Sequence, residues 1–286
     1  MSATIETVAV DYFTVTEKLS RSKDLYDQVR EINKTLDLTF KQRQWKFFGY
    51  DGFIYRGPNG KGHFAYGEAS TEIMGTIVQA SGYFAQRYVE EFLCCDARWA
   101  RVDLCVDCQL EVPAPNLAMD YYTWAKENGG GKRTYSIIQN TMQGSTLYVG
   151  SRSSYDFGRV YDKGMEISRE NEPGKVWRYE IELKQERAKA AVNSLMSYHS
   201  RNQNTSHAIA VTVYDWFDRR NVPPVFKRKD SEGLNLSVKL ETPHETQKLL
   251  WLRKQVSPTV RELLSDNKRE VLDALGITEF YRLRRK

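Results

Sequence analysis

The chain has 286 residues, a formal net charge of +5 and a hydrophobic fraction of 41%. This composition excludes a disordered chain, and no apolar run reaches the about 20 residues that a membrane-spanning helix needs. The first residues, MSATIETVAVDYF, are acidic where a secretory signal is basic. The sequence therefore predicts a cytoplasmic protein without an export signal or a membrane partner.

The N-terminal part alternates strands with helices. The pattern predicts a strand at 4–13, a helix at about 16–36, twisted strands at 45–67, a short strand at 76–79 and a helix at about 81–93. Ser81 is the predicted N-cap of the last of these helices.

The middle of the chain carries the most regular strands. They are predicted at 101–110, 133–138, 145–149, 157–163 and 176–184, with helices at 117–127 and from about 185. Short turns between strands favour antiparallel pairing.

The composition changes near residue 206. A stretch to Phe217 is extended or helical, a basic loop covers 219–230, and helices follow residue 244. We predict an α+β fold with a central antiparallel β-sheet, helices packed on one face and a C-terminal helical appendage. The predicted domains are 1–205 and 206–286.

The cysteines do not point to a metal or disulfide site. Cys105 and Cys108 form a C-x-x-C, but residues three apart on a strand face opposite sides of the sheet. With Cys94 and Cys95, they are expected to be reduced thiols.

Three of the predicted strands carry a polar second face. Its members are Asp103 and Asp107 on 101–110, Arg159, Tyr161 and Lys163 on 157–163, and Arg178, Glu180, Glu182 and Lys184 on 176–184. Glu180 and Glu182 are about 6.6 Å apart along one side, so both can reach one ion. Asp103 and Asp107 are about 13 Å apart, so only one of them is expected to bind the same ion as the two glutamates. Oxygen ligands favour Mg²⁺ or Mn²⁺. The alternative is a solvated face of cross-strand salt bridges.

Tyr161 lies between two basic residues on this face, where cations can stabilise a phenolate nucleophile. The alternative is a structural tyrosine on the sheet surface. The Tyr121-Tyr122 pair fits core packing in an apolar helix, and Tyr155 is a second candidate nucleophile.

Basic residues cluster in the same part of the chain, which suits a polyanionic partner. The predicted DNA-binding residues are Arg101, Arg152, Arg178 and Lys184. Taken alone, this pattern is equally compatible with a solvated basic face.

Three segments resemble, in order and spacing, the signatures of the Rep_trans replication initiation factor family. They are RVDLCVD at 101–107, YVGSRSSYDFGRVYDKG at 148–164 and WRYEIELKQERA at 177–188. The segments LLWLRKQVSPTVRELL and VLDALG also resemble the tail of phage-type members. The family includes initiators of rolling-circle plasmids and filamentous phages, and related relaxases of conjugative elements.

The resemblance implies a metal-dependent nick at an origin, with 1–205 as the catalytic nicking domain. Tyr161 would attack the scissile phosphate, form a 5′-phosphotyrosine and release a 3′-OH, and the strand would later be rejoined. Arg159 and Lys163 would stabilise the transferred phosphate. Asp103 or Asp107, with Glu180 and Glu182, would hold the ion. His63, His199, His207 and His244 lack the spacing of a His-hydrophobic-His relaxase.

Two other functions stay open at this stage: a metal nuclease that uses activated water, and a non-catalytic DNA-binding regulatory protein. The expected partners are origin DNA, supercoiled or single-stranded at the nick site, and a host helicase and polymerase. The active form is expected to be a monomer or a homodimer.

Overall fold

The computed structural model of the chain describes residues 2–17, 24–36, 41–47, 49–57, 62–69, 75–93, 95, 97–128, 134–140, 144–167, 172–228 and 232–236. The chain forms two compact units, Met1–Val238 and Lys239–Lys286. The second unit lies outside the described residues, and so do the helices predicted after residue 244. The predicted domain division at 205/206 stays a prediction.

Within the described residues the chain forms ten strands and six helices. The strands are β1 (Ala3–Thr16), β2 (Lys41–Phe47), β3 (Tyr50–Arg56), β4 (His63–Ala69), β5 (Thr76–Ser81), β6 (Arg98–Leu110), β7 (Tyr135–Asn140), β8 (Gly144–Val149), β9 (Asp156–Asp162) and β10 (Val176–Lys184). The helices are α1 (Asp24–Thr35), α2 (Tyr83–Leu93), α3 (Leu117–Asn128), α4 (Lys163–Ile167), α5 (Glu186–Ser200) and α6 (Thr205–Asp218).

All ten strands belong to one sheet, in the order β2-β3-β4-β5-β1-β6-β10-β9-β8-β7. Every neighbouring pair is antiparallel. The predicted α+β fold around an antiparallel sheet is therefore confirmed. The three strands that carry the polar faces, β6, β10 and β9, lie side by side.

Strict alternation along β10 places its large apolar side chains on the helix-covered face of the sheet. Trp177, Tyr179, Ile181 and Leu183 are fully buried there. The ring of Tyr179 packs edge-on against Phe217 of α6, with centroids 5.5 Å apart. Burial of each such side chain contributes about 1.5–3 kcal/mol of stability. The core thus fixes which side of β10 is left for polar residues.

Tyr121 belongs to this core, as predicted. It is 8% exposed, and its hydroxyl lies 2.9 Å from that of Tyr179. Its neighbour Tyr122 is half-buried against the same core.

The structure corrects the predicted end of β9. The strand ends at Asp162, and Lys163 begins α4 instead of continuing the strand. The reason is the Asp162 carboxylate, which accepts hydrogen bonds from the backbone N–H of Met165 at 3.1 Å and of Gly174 at 2.6 Å. The first of these bonds is an N-cap interaction that starts the helix.

Two N-terminal predictions are also wrong in detail. Ser81 ends β5 instead of capping α2, because its Oγ accepts from the backbone N–H of His63 at 3.0 Å and lies 2.8 Å from Nδ1 of the same residue. The helix predicted from residue 16 begins at Asp24, since β1 extends to Thr16.

The stretch that ends at Phe217, which was predicted to be either extended or helical, forms the helix α6.

Three of the four cysteines lie among the described residues. Cys95, Cys105 and Cys108 are free thiols, and Cys105 and Cys108 are buried on opposite faces of β6. Cys94 lies outside the described residues.

Within the described part of the chain, every helix falls short of the length and apolar character needed to cross a bilayer.

Candidate active site

The polar faces of β6, β10 and β9 form one continuous surface, because directly opposite residues of an antiparallel sheet share a face. Glu182 on β10 is opposite Asp103 on β6. Glu180 is opposite Arg159 on β9, and Arg178 is opposite Tyr161. The residues predicted from three separate segments are therefore brought together. We call this surface the polar face.

Tyr161 lies next to Glu180 on the polar face. The phenol O–H of Tyr161 donates a hydrogen bond to Oε2 of Glu180 at 3.2 Å. Burial of the phenol and the negative charge of Glu180 raise the pKa of Tyr161 above that of a free phenol, while Arg178 opposes the shift. The predicted effect of the nearby cations on the phenol is thus outweighed. Glu180 is placed to accept its proton.

Arg159 joins two of the carboxylates. Its Nη2 forms an ion pair with Oε1 of Glu180 and lies 3.8 Å from Oδ2 of Asp103. Glu180 is 2% exposed. Glu180 therefore has one oxygen on the tyrosine and the other on the arginine.

Arg101 holds the next pair of carboxylates. Its Nε and Nη2 donate to the two oxygens of Asp103 at 2.8 and 2.5 Å, and Nη2 also lies 2.8 Å from Glu182. Lys184 pairs with the other oxygen of Glu182 at 2.6 Å. Complete burial, together with Glu180 and Glu182, raises the pKa of Asp103 to about 7, although Arg101 opposes the shift. Like-charged groups are thus crowded at this point of the sheet.

Asp107 has a different partner. Its two oxygens accept from Nε and Nη2 of Arg178 at 2.5 and 2.7 Å. Nη1 of Arg178 also lies 2.8 Å from Asp11 of β1. Asp103 is therefore the aspartate that lies with the two glutamates, a choice that the sequence left open.

Sequence reasoning missed Asp11 and Tyr12 as members of the polar face. Tyr12 is opposite Asp103, and the guanidinium of Arg101 lies 4.3 Å from the centre of its ring. The pairing of β1 with β6 shifts register between Val10 and Tyr12, so simple alternation along β1 does not assign these positions. The signal available was the acidic Asp11 among the apolar residues of VAVDYF at 8–13.

The remaining predicted residues lie at the edges of the site. Lys163 pairs with Glu166, and its Nζ is 5.6 Å from the centre of the Tyr161 ring. Arg152 is exposed in the turn before β9. Arg178 is the least accessible of the predicted DNA-binding residues, since its side chain is 5% exposed.

The carboxylates suit a divalent cation by their chemistry. Among the described residues, no three His, Cys, Asp or Glu side chains are already arranged around a common metal position. However, Asp103, Glu180 and Glu182 are buried oxygen donors on one face, and their mutual repulsion is what a bound cation would relieve. They therefore fit Mg²⁺ or Mn²⁺, in competition with Arg101 and Arg159.

The fold is similar to that of a solved structure, the rolling circle replication initiator protein from Geobacillus stearothermophilus. The TM-score is 0.54 at 18% sequence identity, over 82% of this chain and 92% of that chain. A comparison with curated proteins finds no match. The sequence matches the family model described as replication initiation factor, Rep_trans, over residues 100–275, which include β6, β9 and β10. The chain belongs to the Rep_trans family of replication initiation factors.

Proposed function

We propose that this chain initiates rolling-circle replication by nicking one strand of origin DNA, with Tyr161 as the nucleophile. The observation that carries the proposal is the hydrogen bond from Tyr161 to Glu180 at 3.2 Å, inside a face that also holds Arg159. A nucleophile in contact with a base that a third group orients is the usual arrangement for covalent catalysis. Family membership and the shared fold support the same reaction.

The proposed reaction exchanges one phosphodiester for another. Glu180 accepts the phenol proton as the Tyr161 oxygen attacks the scissile phosphorus. The bond from phosphorus to the 3′ oxygen breaks, and that oxygen takes up a proton to become the 3′-OH. The 5′ end stays on Tyr161 as a phosphotyrosine. The reverse sequence rejoins the strand, since no high-energy bond is lost.

Basic side chains around the tyrosine are assigned to the phosphate. Arg159 and Lys163 would stabilise the charge of the pentacoordinate phosphate. Arg159 pairs with Glu180, the carboxylate that contacts Tyr161, and Lys163 lies beside the Tyr161 ring. Arg101, Arg152 and Lys184 would hold the flanking DNA backbone. Arg178, which was also predicted to bind DNA, would act on the site mainly through its charge.

Asp103, Glu180 and Glu182 would hold the Mg²⁺ or Mn²⁺. When bound, the ion supplies positive charge that favours the phenolate and polarises the scissile phosphate. Asp107, the other predicted ligand, would instead keep Arg178 in place. Origin DNA is the proposed partner; in the cytoplasm a host helicase would separate the strands and a host polymerase would extend the 3′-OH. Monomer and homodimer are both compatible with this proposal.

Covalent trapping tests the proposal. Labelled single strands that tile the DNA flanking the gene are incubated with the protein and Mn²⁺, and products are separated under denaturing conditions. We expect one strand to yield its 3′-side fragment linked to the protein through the 5′ phosphate, and Tyr161→Phe to yield no such adduct. Cleavage that persists without an adduct in Tyr161→Phe would support a nuclease using activated water. Binding without cleavage would support a regulatory protein.

A further inference from the structure

An aromatic side chain lies unexpectedly on the polar face. Phe157 of β9 is directly opposite Glu182, yet it is 3% exposed. The ring of Tyr148 of β8 covers it, with centroids 5.7 Å apart and planes inclined by 20°. The guanidinium carbon of Arg152 lies 5.6 Å from the centres of both rings. We call these three side chains the aromatic cluster.

The turn that carries Arg152 is held in place by several hydrogen bonds. The hydroxyl of Ser154 donates to the carbonyl of Ser151 at 2.5 Å. The ammonium of Lys184 on β10 donates to the carbonyl of Arg152. The aromatic cluster is therefore positioned before any partner arrives, which lowers the entropic cost of binding.

The aromatic cluster lies one step from the proposed nucleophile. Thr146 is directly opposite Tyr161, and Tyr148 is two residues farther along β8, opposite Arg159. Such diagonal neighbours are about 7–8 Å apart at the backbone. This separation is comparable to one nucleotide along a single strand. A phosphate at Tyr161 would thus leave an adjacent base at Tyr148.

We infer that Tyr148 and Arg152 form a stacking site for the nucleobase next to the scissile phosphate, an inference that rests on the proposed function. A half-buried tyrosine ring beside a guanidinium offers a flat surface and positive charge, the combination that binds single-stranded nucleic acid. Stacking on such a surface tolerates any base, because every base has a π-face. The site would position the strand for cleavage and leave recognition of the origin to other residues.

Affinity for two strands that differ only in their bases tests this inference. The probes are an oligothymidylate of about 12 nucleotides and an abasic deoxyribose-phosphate strand of the same length. Binding is measured by fluorescence anisotropy at low salt, in full-length protein carrying Tyr161→Phe so that nothing is cleaved. Tyr148→Leu keeps an apolar cover over Phe157 but removes the ring, whereas Tyr148→Phe keeps the ring.

We expect Tyr148→Leu to weaken oligothymidylate binding about tenfold and to leave binding of the abasic strand unchanged. Tyr148→Phe should bind both strands like the parent. Tyr83→Leu removes an exposed ring from α2 and should also change nothing. Equal losses on both strands, or no loss on either, would overturn the inference.

The same variants separate this inference from the proposed function. If the trapping experiment gives an adduct while Tyr148→Leu binds both strands normally, only the stacking site is wrong. If Tyr148→Leu loses thymidylate binding selectively and no adduct forms, Tyr148 binds a base but does not serve cleavage, and the nicking reaction is wrong.

Discussion

The phenol O–H of Tyr161 donates a hydrogen bond to one oxygen of Glu180, and Arg159 pairs with the other oxygen of the same carboxylate. Glu180 thus meets both a proton donor and a cation while it is almost fully buried. Without a bound cation, this arrangement keeps the phenol protonated. The cleavage activity of the site is therefore expected to depend strongly on the charge of Glu180 and on any cation that binds there.

Replacing Glu180 by glutamine should abolish most of the cleavage. Glu180→Gln removes the group that accepts the phenol proton while keeping its size, and loss of such a group costs about 10²- to 10⁴-fold in rate. Single-turnover cleavage of the strand identified by trapping measures the loss. Affinity for that strand should stay close to the parent value.

Glu186→Gln is the matched control, since Glu186 is exposed at the start of α5. It should cleave at the parent rate. Unchanged cleavage by Glu180→Gln would show that the phenol proton has another acceptor.

Asp103 should make stability depend on pH. Its pKa is raised to about 7 in the folded protein by burial first and by neighbouring carboxylates, so the folded state keeps a proton that the unfolded state releases near pH 4. This contribution to the free energy of unfolding is fully present below about pH 4 and is lost as the pH rises through about 7. The parent should therefore lose a few kcal/mol over this range relative to Asp103→Asn.

Urea unfolding of both proteins at several pH values in EDTA measures this difference. Asp120→Asn, on α3, replaces an exposed aspartate and should follow the parent at every pH. Parallel curves for the parent and Asp103→Asn would contradict the prediction.

Metal affinity should distinguish the two aspartates of β6. Asp103→Asn removes a donor that lies with Glu182, so we expect Mn²⁺ affinity to fall about tenfold or more. Asp107→Asn alters a partner of Arg178 and should leave the affinity near the parent value. Electron paramagnetic resonance titration of free Mn²⁺ measures both. A larger loss in Asp107→Asn would reassign the ligand.

Gly158→Ala should destabilise the fold without touching the polar face. A Cβ at Gly158 would lie 2.3 Å from the ring of Trp216 on α6, which is a clash that requires the helix to move. Overpacking of this kind costs about 1–3 kcal/mol. Thermal unfolding measures the cost, and adding Trp216→Leu should recover part of it. A Gly158→Ala protein as stable as the parent would show that α6 moves freely.

Regular alternation explains why β6 and β10 were predictable. Ile181 and Glu182 point to opposite faces of a strand whose apolar side is fixed by the core, so sequence alone assigned the polar side correctly. Asp11 was not predictable, because a register shift in β1 depends on its pairing with β6. Lys163 was misplaced since the Asp162 carboxylate, which caps α4 at Met165, is also held by the backbone N–H of Gly174, twelve residues away.

Pairing on both sides of β9 has a mechanical consequence for the 5′ end that Tyr161 would carry. The strand is bonded to β8 and β10, and it leads directly into α4. A tyrosine held in this way can rotate its ring but cannot move an attached DNA strand across the molecule. In strand rejoining, the attached 5′ end would wait at a fixed point, and the free 3′-OH would have to travel to it.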